Sequence, residues 1–111
     1  MLKLLLGVCL GVWLHAAHAV TVMDDRQVAV TFTQAPQRIV TLLPSLAETV
    51  CVLGACRRLV GTDKHANWPA SVKALPKLGG LDDTQLEALV RLKPDVVLLA
   101  KSARIIARLE A

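Results

Sequence analysis

The chain has 111 residues, room for one small domain with a single core but not for two lobes and a cleft between them. Hydrophobic residues make up 54% of it, a high share for a soluble chain, and part of that excess sits in residues 1–19. The formal net charge of +4 falls to +3 once Lys3 is set aside with that segment, and Arg57-Arg58 is the only adjacent basic pair, so the charge excludes a nucleic-acid footprint.

Residues 1–19 read as a secretory leader. Lys3 supplies the positive start, Leu4 to Leu14 is the apolar run, and Ala17-His18-Ala19 gives the small-x-small cleavage pattern. The run is shorter than the roughly 20 residues that a spanning helix needs. Val8 before Cys9 is bulky where a lipoprotein signal carries a small residue. The expected location is therefore the periplasm, with the leader cleaved. That compartment is oxidising, and two cysteines, Cys51 and Cys56, remain in the mature chain. Their spacing is not the Cys-x-x-Cys of redox enzymes. A small structural disulfide and two independent core thiols both fit it; redox or metal chemistry is a third reading.

After the leader, Val20-Thr21-Val22 and Val28 to Phe32 are β-rich runs around the polar turn Asp24-Asp25-Arg26-Gln27, which predicts a hairpin. Gln34-Ala35-Pro36 acts as a linker, so residues 20–35 form a hairpin unit ahead of an α/β region at 36–111. Arg38 to Leu43 is a strand apolar enough to be covered on both faces. Pro44-Ser45 ends it, and Ser45 with Glu48 forms a predicted capping box for a helix that carries Leu46, Val50 and Leu53 and stops at Gly54. Leu59 to Thr62 is the second strand. Asp63 to Trp68 is a polar loop, and Pro69 opens a helical turn through Val72.

Leu75 to Leu81, broken by Pro76, Gly79 and Gly80, reads as loop or extended chain. Asp83 or Thr84 is the expected cap of a second helix with Leu86, Leu89, Val90 and Leu92 on its apolar side; Lys93 suits its end and Pro94 stops it. Asp95 to Ala100 is the third buried strand, and Ser102 is expected to cap a last helix with Ile105, Ile106 and Leu109. Alternation of buried strands and helices predicts an α/β fold with a parallel sheet.

Ligands of open parallel sheets bind beyond the carboxyl ends of the strands. Three loops qualify: Leu43-Pro44-Ser45, Asp63 to Trp68, and Ala100-Lys101-Ser102. The second holds His65, Asn67 and Trp68. A flat aromatic and an imidazole on a cleft rim suit a planar macrocycle, set against the plainer reading of a packed tryptophan and a solvated histidine. Phosphate-binding glycine loops and a Gly-x-Ser-x-Gly elbow are missing from the sequence, so no catalytic residues, no intrinsic cofactor and no resident metal are expected.

Pro36-x-Arg38-Ile39-Val40-x-Leu42-x-Pro44-Ser45-x-x-Glu48 resembles the opening of the cobalamin, haem and ferric-siderophore binding proteins of ABC importers, the helical-backbone metal receptors. Leu59-Val60-Gly61, Asn67-Trp68-Pro69, Leu78-Gly79-Gly80, Leu86-Glu87 and Leu92-Lys93-Pro94-Asp95-Val96-Val97 follow in that family's order. The resemblance is nearest to the cobalamin branch. It implies a parallel, Rossmann-like sheet with flanking helices, forming one incomplete lobe of a bilobal binding protein and preceded by the hairpin. It implies a ligand site lined by Pro44, Ser45, His65, Asn67, Trp68, Gly79 and Gly80. It further implies that Glu87 docks on arginines of an inner-membrane permease.

The implied ligand is cobalamin first, then haem or a ferric siderophore. His65 stands near the place where family members often carry a tyrosine. The long linking helix and the second lobe of the family are not in these residues, so this chain alone is expected to bind weakly or not at all. Two other readings compete: a small periplasmic redox or metal protein using Cys51, Cys56 and His65, and a truncated remnant without function.

Overall fold

The computed structural model describes residues 18–111. The leader expected at residues 1–19 lies, apart from His18 and Ala19, outside the described residues. Among the described residues no helix is long and apolar enough to cross a membrane.

Strands β1 (Val20–Met23) and β2 (Ala29–Phe32) pair antiparallel, Val20 opposite Phe32 and Met23 opposite Ala29. Asp24 builds the turn between them. Its carboxylate accepts from the backbone N–H groups of Arg26 and Val28, both at 2.8 Å, and Gln27 takes φ +62°. These bonds, that from Val28 first, hold the Asp24 carboxyl below its usual pKa. The Arg26 guanidinium donates to Glu110 at 2.6 Å, which ties the hairpin to the far end of the chain.

The main sheet has three parallel strands in the order β4 (Leu59–Thr62), β3 (Ile39–Thr41), β5 (Val96–Leu98). Central β3 is buried throughout, as a strand covered on both faces must be. On one face α1 (Pro44–Val52) and the 3-10 turns Cys56–Arg58 and Ala70–Ala74 enclose Ile39, Ala47, Val50, Leu59, Ala66 and Val72. On the other, α2 (Leu86–Arg91) and α3 (Ile106–Leu109) enclose Val40, Leu42, Leu78, Leu89, Ala103 and Ile105. The predicted α/β fold is therefore the observed one: one partial lobe, with helices on both faces of a parallel sheet.

β4 carries a bulge. Ile39 pairs with Leu59 but Val40 pairs with Gly61, which leaves Val60 as the extra residue. Val60 packs with the α2-side cluster. Gly61 approaches that side so closely that a Cβ would sit 2.6 Å from Leu92 Cδ1. Beyond β4, the stretch Pro76 to Leu78 runs as a further edge: Thr62 N donates to Pro76 O, Leu78 N donates to Thr62 O, and Thr62 bridges Lys77 in parallel.

Local details depart from the sequence reading in several places. The Ser45–Glu48 capping box does not form. Pro44 occupies the first helical turn, where its fixed φ and missing N–H suit the start, so the cap position moves back to Leu43 and no side chain caps the helix. Neither Asp83 nor Thr84 caps α2, whose cap position is Gln85; both side chains instead bond Gly80. Ser102 lies in the turn before α3, whose cap position is Ile105. β5 is half-buried rather than buried. Leu53, placed on the buried side of α1 by helical spacing, is 78% exposed at the helix end, and Val90 is likewise exposed on α2.

Cys51 and Cys56 are bridged, with Cα atoms 4.0 Å apart, so α1 is stapled to the turn that feeds β4. Replacing both with serine is expected to lower the unfolding free energy by about 2 kcal/mol, the chain-entropy figure for so short a loop, as read from urea denaturation.

The start of β3 is held to β5 by one carboxylate. Asp95 Oδ2 accepts from the backbone N–H groups of Gln37 at 2.8 Å and Arg38 at 2.9 Å. Those bonds, that from Gln37 first, set its pKa below the ordinary value. A depressed pKa stabilises the fold above the unfolded value of about 4 and is lost as pH falls towards the folded one. Asp95→Asn is expected to lower the melting temperature at neutral pH and to flatten its decline below about pH 4, measured by circular dichroism across a pH series.

Candidate functional site

Parallel strands end at one edge, and here the carboxyl ends of β3, β4 and β5 bring three loops together. Pro44, half-buried, and Ser45, exposed, follow the central strand. His65, Asn67 and Trp68 are exposed in the loop after β4, with Trp68 at 53% and a cis peptide bond between Trp68 and Pro69. Ala100, Lys101 and Ser102 follow β5.

The loop after β4 is built by polar bonds rather than by packing. Asp63 is buried, and its Oδ2 accepts from the His65 backbone N–H at 3.0 Å, which turns the chain at its entrance. Below it the Lys77 ammonium donates to three acceptors: Thr62 Oγ1 at 3.0 Å, Ala66 O at 2.7 Å and Val72 O at 3.1 Å. Three donors meet three acceptors, so this half-buried cation is fully used as an internal brace. It fixes the path that carries His65, Asn67 and Trp68. Two buried side-chain oxygens at the same edge, Thr41 Oγ1 and Asp63 Oδ1, have no hydrogen-bond partner among the described residues.

Gly79 and Gly80 adjoin this loop. Lys64 N donates to Gly79 O at 2.8 Å, and Lys64 Nζ lies 4.0 Å from Asp83 Oδ2. Gly79 takes φ +94°, and a Cβ there would stand 2.6 Å from Asp83 O. Only glycine fits that turn. Gly80 N donates to Asp83 Oδ1 at 2.6 Å while Thr84 Oγ1 donates to Gly80 O at 3.0 Å, which closes the turn on itself. Pro44, Ser45, the segment from His65 to Trp68 and the glycine pair thus share one edge of the lobe. Glu87 is exposed in the first turn of α2.

Sequence reasoning passed over Lys77 and Asp63. The available signals were a lysine between Pro76 and Leu78 in an otherwise apolar stretch, and an aspartate directly after a buried strand. His65 is exposed, and among the described residues no group of three or more His, Cys, Asp or Glu side chains is placed to hold a metal ion. A groove of about 840 Å³ lies between the hairpin and β5; it takes in Ala100 and Lys101 after β5 but none of Pro44, Ser45, His65, Asn67, Trp68, Gly79 or Gly80. Among the described residues, His65, Asn67 and Trp68 stand exposed at the carboxyl edge.

Open parallel sheets bind ligands beyond the carboxyl ends of their strands, the edge at which these glycine and aromatic loops stand. Residues 39–110 match the family described as periplasmic binding protein, and the chain belongs to that family. It is 34% identical over 84 residues to an ABC transporter substrate-binding lipoprotein of Bacillus subtilis, covering 76% of this chain and 26% of that one. It is 36% identical over 87 residues to a cobalamin-binding protein of Halobacterium salinarum, covering 77% and 24%. Among solved structures, a periplasmic haem-binding protein from Pseudomonas aeruginosa superposes with a TM-score of 0.55 at 36% identity, covering 57% of this chain and 23% of that one. The chain thus spans about a quarter of the length of the curated relatives it matches.

Lys77→Met is expected to remove three hydrogen bonds, those to Thr62 Oγ1, Ala66 O and Val72 O, and to cost about 2 kcal/mol of stability. It should also shift the emission of Trp68, which stands on the loop that Lys77 braces, as fluorescence during urea unfolding would record.

Proposed function

We propose that this chain is the N-terminal lobe of the substrate-binding component of an ABC importer, which captures a metal chelate in the periplasm and delivers it to an inner-membrane permease. The observation that carries the reading is the shared carboxyl edge, where an exposed indole stands on a braced loop beside a glycine pair that admits close approach. Membership of the periplasmic binding family and the cobalamin-binding and haem-binding relatives support it. Cobalamin is the first ligand, and haem or a ferric siderophore the next. Pro44, Ser45, His65, Asn67, Trp68, Gly79 and Gly80 form this lobe's share of the site. Glu87, exposed in the first turn of α2, is the docking contact for arginines of the permease, where an unpaired surface charge orients encounter. The chain acts in transport and not as an enzyme. Residues 1–19 serve as a cleaved leader.

A single lobe covers one side of a ligand, whereas tight small-molecule sites enclose most of the ligand surface. Cyanocobalamin and haemin titrated into this chain alone are expected to give little change in their visible spectra. Joined to a second lobe taken from a cobalamin-binding relative, the chain should bind cobalamin. Trp68→Ala in that joined protein should weaken binding by about 1–2 kcal/mol, the order of one lost aromatic contact. Absence of binding by the joined protein to every metal chelate tried would remove this reading.

The competing redox reading rests on Cys51, Cys56 and His65. We infer instead that the cysteine bridge is a staple, since both its ends lie beside the α1-side core cluster.

A further inference from the structure

Lys64 joins two walls of the carboxyl edge. Its backbone N–H donates to Gly79 O at 2.8 Å, which lays the loop after β4 against the glycine turn. Its side chain then runs across Gly80: a Cβ on that glycine would stand 3.1 Å from Lys64 Cε and 3.4 Å from Nζ. Gly80 is buried, whereas the lysine side chain is half exposed, at 50%. The methylene stem therefore covers the glycine while the ammonium stays at the surface, the habit of a long basic side chain. A ligand that comes down on this wall meets the ammonium before it meets Gly80.

The hold on that ammonium is slack. Among the described residues its ion-pair partner is Asp83, whose Oδ2 lies 4.0 Å away, too far for a hydrogen bond. The other Asp83 oxygen, Oδ1, accepts from Gly80 N at 2.6 Å, so that carboxylate is committed to closing the turn and turns only one oxygen towards Lys64. Both side chains are at least half exposed, which weakens such a pair further. Lys77 is the contrast: its Nζ meets three acceptors within 3.1 Å and is spent on the scaffold. Asp63, the acid next to Lys64 in the chain, is only 2% exposed and accepts from the His65 N–H, so it does not compete at the surface. The polar group offered where the loop meets the glycine turn is thus a cation with directional donors, and anionic oxygens are its match.

We propose that Lys64 selects the ligand by charge, exchanging its long contact with Asp83 for a carboxylate or phosphate oxygen carried at the rim of the bound chelate. The proposal rests on the importer reading, since it takes the carboxyl edge as the ligand site. It adds the substrate class: a chelate with an anionic rim group is preferred over its neutral counterpart. Asp83 is the counterweight, holding the ammonium over Gly80 until the ligand's anion takes its place.

Spectroscopic titration of the chain joined to a second lobe tests this with two matched pairs of probes: haemin against its dimethyl ester, which lacks the free carboxylates, and cobalamin against cobinamide, which lacks the phosphate. Lys64→Met should weaken the anionic member of a bound pair about tenfold and leave the neutral member unchanged, and Lys64→Arg should restore the affinity. The pair that shows the split identifies the anion as carboxylate or phosphate. Asp83→Asn, which keeps an acceptor for the Gly80 N–H, should act in the opposite sense and tighten the anionic member. Lys73→Met, at an exposed lysine of the 3-10 turn Ala70–Ala74, controls for net charge and should change neither. Binding untouched by Lys64→Met, weakened equally for both members of a pair, or lowered as much by Lys73→Met would overturn the role of Lys64 and leave the importer reading standing. No binding of any chelate tried would overturn both.

Discussion

The alignment of the parallel strands depends on the polar lock at the start of β3. Arg38 takes part in it with every polar group it has. Its backbone N–H donates to Asp95 Oδ2, its carbonyl accepts from the Asp95 and Val96 N–H groups, and its guanidinium donates through Nε and Nη2 to Leu92 O at 2.9 and 2.6 Å. The lock joins the amino end of the central strand, the carboxyl end of α2 and the entrance to β5. Because the strands are parallel and short, setting their beginnings level also sets their ends level. The three loops at the carboxyl edge stand together for that reason.

From there the two faces of the sheet are arranged differently. On the α1 side the strands meet a continuous apolar layer, fastened at its far end by the cysteine bridge and at the carboxyl edge by Lys77. On the α2 side the β4 bulge turns both Val60 and Gly61 to the same face, and the missing side chain of Gly61 lets Leu92 and Leu78 close over the sheet. One extra residue in a four-residue strand thus reconciles a buried core on both faces with a register that still brings Thr62 beside Thr41.

The strands and their order were legible in the sequence because each is a short apolar run between turn residues, and Leu59 to Thr62 was placed residue for residue. The loops of the candidate site were legible because parallel topology alone puts strand ends on one edge. Caps were not. Ser45, Asp83, Thr84 and Ser102 all have the right chemistry for a helix start, but Pro44 shifts one helix and the glycine turn engages Asp83 and Thr84. Cap propensity is local, and these positions are decided by what the side chain meets across the fold. Lys77 escaped notice for the same reason: its three acceptors come from residues 5 to 15 positions away and are adjacent only once β4 and the turn after Pro69 are in place.

The positive φ of Gly79 and the 2.6 Å approach of Asp83 O close that position to any side chain. Its neighbours across the edge, His65, Asn67 and Trp68, stand on a backbone braced from beneath, with their side chains in the open. Mutation therefore meets two unequal halves of one surface. At the glycine turn almost every change is a folding defect, whereas His65, Asn67 and Trp68, around the buried Ala66, can be exchanged with little penalty to the scaffold. A lineage built on this lobe can change what its surface recognises through that one loop while the wall facing it stays as it is.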